Sequence, residues 1–233
     1  MTHQPLPESA QPRVLVPFAI ITLIWGSTWI VIRDQLGVVP PSWSVTYRFI
    51  IAGVALALVA RLRGERAGGV AGFWPFALML GLLQFVLNFN FVYRAEAHIT
   101  SGLVAVLFAL LLIPNALFAR IFVGQRVGTQ FIAGSAIAMA GVALLLINEA
   151  RADPGGTGQT LAGIALVLCA ILSASTANVM QATQRAKRYP MTATLAAAML
   201  SGAAIDGAWA WATAGAPVVD WRWSYLGGVL YLG

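Results

Sequence analysis

Oily runs of about twenty residues alternate with short polar or turn-rich connections along this chain. The runs cover 14–32, 43–60, 72–93, 99–119, 129–147, 160–181 and 191–213, and an eighth begins near 223. A helix of about 20 residues crosses the hydrocarbon core of a bilayer. At that depth the backbone must satisfy its own hydrogen bonds, so each run is read as a helix. Pro40-Pro41 breaks the chain before the second run, residues 61–69 separate the second from the third, and 151–158 is the most turn-rich stretch. The pattern predicts an all-α, polytopic membrane helix bundle. Its expected parts are a tail at 1–13, a five-helix block at 14–147, a linker at 148–159 and a second block from 160 onward. The tail is polar, carries three prolines and reads as disordered. Val14 to Ile32 is too long for a signal-peptide core and reads as an uncleaved membrane helix.

Composition agrees. Of 233 residues, 59% are hydrophobic and 9% are charged, against roughly 25% charged in soluble domains. The formal charge of +6 does not imply nucleic acid, because the basic residues are scattered between apolar runs. They set an orientation instead. The tail and the second, fourth and sixth connections hold nine: Arg13; Arg61, Arg63, Arg66; Arg120, Arg126; Arg185, Lys187, Arg188. The other side holds four, Arg33, Arg94, Arg151 and Arg222, while Arg48 lies inside a run. The positive-inside rule predicts a cytoplasmic N-terminus in the inner (plasma) membrane.

Five runs precede the linker, so a second block that repeats the first must be inverted, as in many secondary transporters. Ser27-Thr28 and Ser175-Thr176 hint at such a repeat, each lying before a proline-marked turn. In a repeat, the equivalent of 72–147 would follow residue 223, and residues 223–233 fall roughly 65 short of it. The expectation is a fragment of a ten-helix protein, with about eight spans present.

Polar groups at membrane depth are costly and generally face the bundle interior. Trp25 and Trp29 share a helix face beside the small residues Gly26 and Ser27, a set that suits either a cavity wall or close packing. Gln84 and Asn88, four apart, share a face in the third run, whereas Asn90 leans toward structure. Asn178 and Gln181 in the sixth run demand outside partners, since nearby Ser175 and Thr176 can bond the preceding turn. Pro114 frees a backbone carbonyl and marks a bend or gate. Arg48 is read as snorkelling or pairing with Asp34, with attraction of anionic substrate as the alternative. Asp206 is the only acid well inside a run; it would carry a proton, or meet outer-surface water if the helix shifts register. Trp25, Ser27, Trp29, Gln84, Asn88 and Asn178 are the candidate substrate contacts. Arg48, Asp206 and Pro114 are the candidates for coupling or gating. Gly134, Ala138 and Gly141 form a small-residue stripe for helix packing or a homodimer contact.

These features together resemble the EamA-like transporters of the drug/metabolite transporter superfamily. The resemblance rests on Trp25-Gly26-Ser27, on the arginine of Tyr47-Arg48, on the block Ala97 to Pro114, and on Gly134 and Gly141. One departure is Gly124-Gln125, where the family usually has Gly-Glu. The resemblance implies ten helices in two inverted repeats. It also implies alternating-access movement of small metabolites or drugs, amino-acid-like or amphiphilic, often outward and coupled to a proton or other ion.

Other classes fit less well. The single lysine, Lys187, follows no glycine-rich loop, so no nucleotide-binding loop is expected. One cysteine, Cys169, and two histidines, His3 and His98, make a metal centre unexpected, and no cofactor is implied. An intramembrane protease would need Ser27 beside His98, which sits at a helix entrance. A membrane scaffold or assembly subunit is the remaining alternative. Small molecules and the lipid bilayer are the expected partners.

Overall fold

A computed structural model describes residues 12–152 and 157–233. The expected tail up to residue 11 and the centre of the expected linker lie outside the described residues. The chain is an all-helical, multi-pass membrane bundle. Its elements are α1 (Pro12–Asp34), α2 (Pro41–Leu62), α3 (Phe73–Glu96), α4 (Ser101–Val123), α5 (Thr129–Ala152), α6 (Thr157–Ala182), α7 (Met191–Ala214) and α8 (Trp223–Leu232). The first seven are long and apolar enough to cross a membrane, and α8 has ten residues. Both α5 and α6 reach into the expected linker.

Local chemistry sets the ends. Pro41 opens α2 at a position where a missing N–H costs nothing. Thr100 caps α4, its side chain accepting the Leu103 N–H at 3.4 Å. Gly124 ends α4 with φ +75°, a left-handed turn open to glycine. This accounts for the glycine of the Gly124-Gln125 pair without reference to the missing acid.

α7 is the central strut. It runs along α2 and against the first half of α3. Small residues allow the approach: a Cβ on Gly81 would lie 2.5 Å from the Ala198 carbonyl oxygen, and one on Gly53 would lie 2.8 Å from the Leu200 side chain. α6 packs on α3 and α4, while α1 meets α4, α8 and the end of α3. The stripe on α5 does not pack in this way. Gly134 and Gly141 have no neighbour within 4 Å of an added Cβ, so the stripe packs on no helix among the described residues.

The connections sort into two faces. On one, Arg33 donates to the Glu96 carbonyl, His98 bonds Gln159, Trp43 Nε1 donates to the Gly215 carbonyl at 3.3 Å, and Arg222 donates to the Asp34 carbonyl at 3.5 Å. On the other, Glu65 accepts the Ala193 N–H at 2.9 Å and Tyr189 donates to the Ala71 carbonyl at 3.2 Å. Odd connections thus meet odd and even meet even, as chain crossings of uniform span require.

α3 is not a uniform α-helix. Residues Gly81–Leu87 form a π-helical stretch, which widens the helix by an extra residue per turn. α4 tightens at Ala109–Leu111, just before Pro114, whose missing N–H cannot reach the Leu110 carbonyl.

Candidate functional site

The π-helical stretch carries Gln84 into a cavity of about 180 Å³ enclosed by α1, α2, α3, α4 and α6. α1 supplies Trp25, Thr28, Trp29 and Ile32, and α2 supplies Arg48. α3 adds Gln84, Asn88, Phe89 and Val92; α4 adds Phe108 and Leu111; α6 adds Ala174 and Asn178. A larger hollow of about 670 Å³ lies at the second connection, between α2 and α7. It is an open groove at the bundle end, and its one carboxylate, Glu65, already caps α7.

Six of the nine candidate residues therefore line one cavity: Trp25, Trp29, Arg48, Gln84, Asn88 and Asn178. Trp29 packs on Phe108, with ring centroids 5.3 Å apart, whereas Trp25 stands at the rim and is 62% exposed. Asn88 Nδ2 donates to the Gln84 carbonyl at 3.4 Å. Asn178 Nδ2 approaches Asn115 Oδ1 at 3.5 Å, tying α6 to α4 beside Pro114.

Arg48 departs from both expected structural roles. It neither reaches the interface nor pairs with Asp34; the one ion pair among the described residues is Asp220–Arg222. Its guanidinium carbon lies 4.3 Å from the Phe89 ring centroid and 5.2 Å from that of Phe49. The reason is the rotation of α2, which turns this position toward α3 instead of the membrane surface. Nε and Nη1 are buried with no hydrogen-bond partner, as are Gln84 Oε1 and Asn88 Oδ1.

The other three candidates sit elsewhere. Ser27 donates to the Leu23 carbonyl at 2.8 Å and lies 2.6 Å from Tyr231 Oη on α8. It is an interhelical contact, and His98 is engaged separately with Gln159, so the two form no catalytic pair. Pro114 is outside the lining. Asp206 is fully buried between α2, α3 and α7, so the water-facing alternative fails. Asn90 Nδ2 donates to Asp206 Oδ1 at 2.7 Å, and Ser42 Oγ donates to Asn90 Oδ1 at 2.7 Å. Thr46 Oγ1 lies 3.4 Å from Asp206 Oδ2.

The apolar wall of Phe89, Phe108, Ile32 and Ala174 carries no sequence signal, because a cavity-facing oily residue looks like a lipid-facing one. Glu96 lies beyond the oily run at 72–93 and gives no signal at membrane depth. It is fully buried at the end of α3, with Oε2 accepting from Ser101 at 2.7 Å and Oε1 unpartnered. Among the described residues no three His, Cys, Asp or Glu side chains gather as a metal ligand set.

Comparison with known proteins adds a lineage. The EamA-like transporter family matches residues 14–147. The chain is 25% identical over 159 residues to Protein PagO of Salmonella typhimurium, covering 68% of this chain and 51% of that protein. It is 33% identical over 124 residues to "Uncharacterized inner membrane transporter YedA" of Escherichia coli K12, covering 53% and 40%. It is 31% identical over 141 residues to "Probable terminal-alkyne amino-acid exporter" of Streptantibioticus cattleyicolor, covering 57% and 45%. The chain thus spans about half the length of these relatives. One solved crystal structure shares the fold, with a TM-score of 0.63 at 20% identity over 92% of this chain and 74% of that one.

Proposed function

The chain belongs to the EamA-like transporter family, and from that premise we propose that it moves small metabolites across the membrane by alternating access. The observation that carries this reading is the cavity itself. Five spans converge on a space whose lining combines tryptophans, amides and one guanidinium. A few polar groups set in an apolar wall are what an amphiphilic ligand requires. A volume of about 180 Å³ is below the ~300–1,000 Å³ of drug-sized sites, which favours metabolites of amino-acid size.

Outward movement is part of the proposal, supported by the relative named as an amino-acid exporter. So is coupling to a proton through Asp206, a buried acid outside the cavity on the helix that braces α2 and α3. Inverted pairing of the two blocks, with an N-terminus on the cytoplasmic side, completes it. The test is flux in proteoliposomes screened over amino acids and amphiphilic cations. Saturable flux of at least one compound supports transport, and none from folded protein counts against it.

A further inference from the structure

We infer that the open groove between α2 and α7 holds an anionic phospholipid, with its phosphate on Arg61 and Arg66 and one acyl chain along the apolar walls.

The groove has a volume of about 670 Å³, and its two ends differ in chemistry. At the mouth, Arg61 stands in the last turn of α2 and Arg66 in the connection that follows. Both are exposed, and neither has an ion-pair partner among the described residues. Further in, Ala57 and Ala60 of α2 and Ala196 and Ala197 of α7 form the walls. Leu200 closes the inner end, where an added Cβ on Gly53 would lie 2.8 Å from its side chain. Leu200 lies nine residues beyond Met191, where α7 begins. At ~1.5 Å per residue that is a depth of about 13 Å. One leaflet of a ~30 Å hydrocarbon core is about 15 Å. The groove therefore runs from headgroup level nearly to the bilayer centre. Trp74, 53% exposed at the mouth, marks that level, where indole rings concentrate.

Charge selects the headgroup. The second and sixth connections are tied together: Glu65 accepts the Ala193 N–H at 2.9 Å, Arg63 Nη1 donates to Thr192 Oγ1 at 3.3 Å, and Tyr189 donates to the Ala71 carbonyl at 3.2 Å. Residues 61–72 and 183–190 thus bring six cations to one place: Arg61, Arg63, Arg66, Arg185, Lys187 and Arg188. The one carboxylate in these two segments, Glu65, is engaged with the first turn of α7. Clustered Lys and Arg at a membrane surface attract anionic headgroups, and basic pockets between spans hold them. A water-soluble anion would use the arginines and leave the apolar depth empty. An uncharged lipid would fill the depth and leave the arginines unused. A diacyl lipid with a net negative headgroup meets both ends.

The test uses the full chain purified in detergent, with added dioleoylphosphatidylglycerol or dioleoylphosphatidylcholine, and reads lipid retention by native mass spectrometry. Phosphatidylglycerol should be retained about 10–30-fold more strongly than phosphatidylcholine, the worth of two surface arginines. Glycerol 3-phosphate, a phosphate without acyl chains, should not displace it. Arg61→Gln with Arg66→Gln should bring phosphatidylglycerol down to the phosphatidylcholine level. Arg120→Gln with Arg126→Gln removes two cations beside the α4–α5 connection and should leave retention unchanged. Ala197→Phe fills the groove without altering charge and should lower phosphatidylglycerol retention. The lipid series needs no variant, so a misfolded variant would not remove the test. Equal retention of the two lipids, displacement by glycerol 3-phosphate, or equal losses from the two double variants overturns the inference. Folded Ala197→Phe with unchanged retention overturns it as well.

Discussion

Asn90 on α3 donates its side-chain N–H to Asp206 on α7 at 2.7 Å, inside a bundle where Asp206 has no exposed surface. The same Nδ2 also bonds the Val86 carbonyl at 3.0 Å, and Asn90 Oδ1 accepts from Ser42. Three helices are thereby joined through one amide. Asp206→Asn keeps an acceptor for Asn90 and removes a carboxyl that has no ion-pair partner among the described residues, so its stability should lie within about 1 kcal/mol of the original. Asp206→Leu leaves the Asn90 donor unmet and should cost about 1–3 kcal/mol. A thermal-unfolding double-mutant cycle over Asn90 and Asp206 should give a coupling of about 0.5–3 kcal/mol. Additive losses would mean that the bond does not join α3 to α7.

The spans were legible because bilayer thickness fixes the length of an oily run. The third helix is longer than the oily run at 72–93, because Arg94 and Glu96 end the run without ending the helix. The helix continues through them to Glu96 because each finds a partner: Arg94 Nη2 approaches Ser42 Oγ at 3.4 Å and Glu96 accepts from Ser101 at 2.7 Å. At the cavity, amides at depth gave Gln84, Asn88 and Asn178, because a polar group there must face protein. Where Arg48 points depends on how α2 packs on α7, with Gly53 of α2 against Leu200 and Gly207 of α7 against Thr46. Trp25 lines the cavity, whereas Ser27, two residues on, turns to Tyr231.

Trp25 and Trp29 should separate binding from folding. Trp29 is half-buried on Phe108, and Trp25 is largely free of protein contact. Trp29→Ala should lower stability by about 1–3 kcal/mol through lost aromatic packing. Trp25→Ala should change it by about 0.5 kcal/mol or less while weakening ligand binding. Thermal unfolding and ligand titration on the same samples read the two effects. Equal destabilisation by both variants would make Trp25 a packing residue and remove it from the cavity's function.

Asp220, between α7 and α8, should titrate below the usual carboxylate range. Its Oδ1 accepts the Arg222 backbone N–H at 3.0 Å and its Oδ2 accepts Arg222 Nε at 2.6 Å. The backbone bond is the larger cause, followed among the lowering contacts by the guanidinium. A carboxylate whose folded pKa is depressed contributes its stabilisation fully above the unfolded value, near 3.9, and loses it as pH falls through the folded value. A ¹³C-carboxyl NMR titration should find the Asp220 midpoint low. Arg222→Gln should raise it only part of the way, because the backbone N–H remains. A full return to the ordinary value would assign the effect to the guanidinium alone.

The glycines make opposite predictions according to what they face. At Gly81 an added Cβ would sit 2.5 Å from the Ala198 carbonyl oxygen and 2.8 Å from Ser201 Oγ. Backbone cannot swing aside as a long side chain can, so Gly81→Ala should force α3 and α7 apart. Overpacking of this kind costs about 1–3 kcal/mol. It should also move the π-helical stretch that Gly81 begins, and with it Gln84, so ligand binding should fall together with stability. Gly134 on α5 meets nothing within 4 Å, and Gly134→Ala gains helix propensity of up to about 1 kcal/mol. It should leave ligand binding unchanged and raise or maintain the unfolding temperature. The two single-methyl variants, compared by thermal unfolding in the same detergent, test the packing directly. A destabilised Gly134→Ala would show that α5 packs on a surface outside the described residues, such as a second copy of the chain. A neutral Gly81→Ala would mean that α3 and α7 do not approach through this glycine.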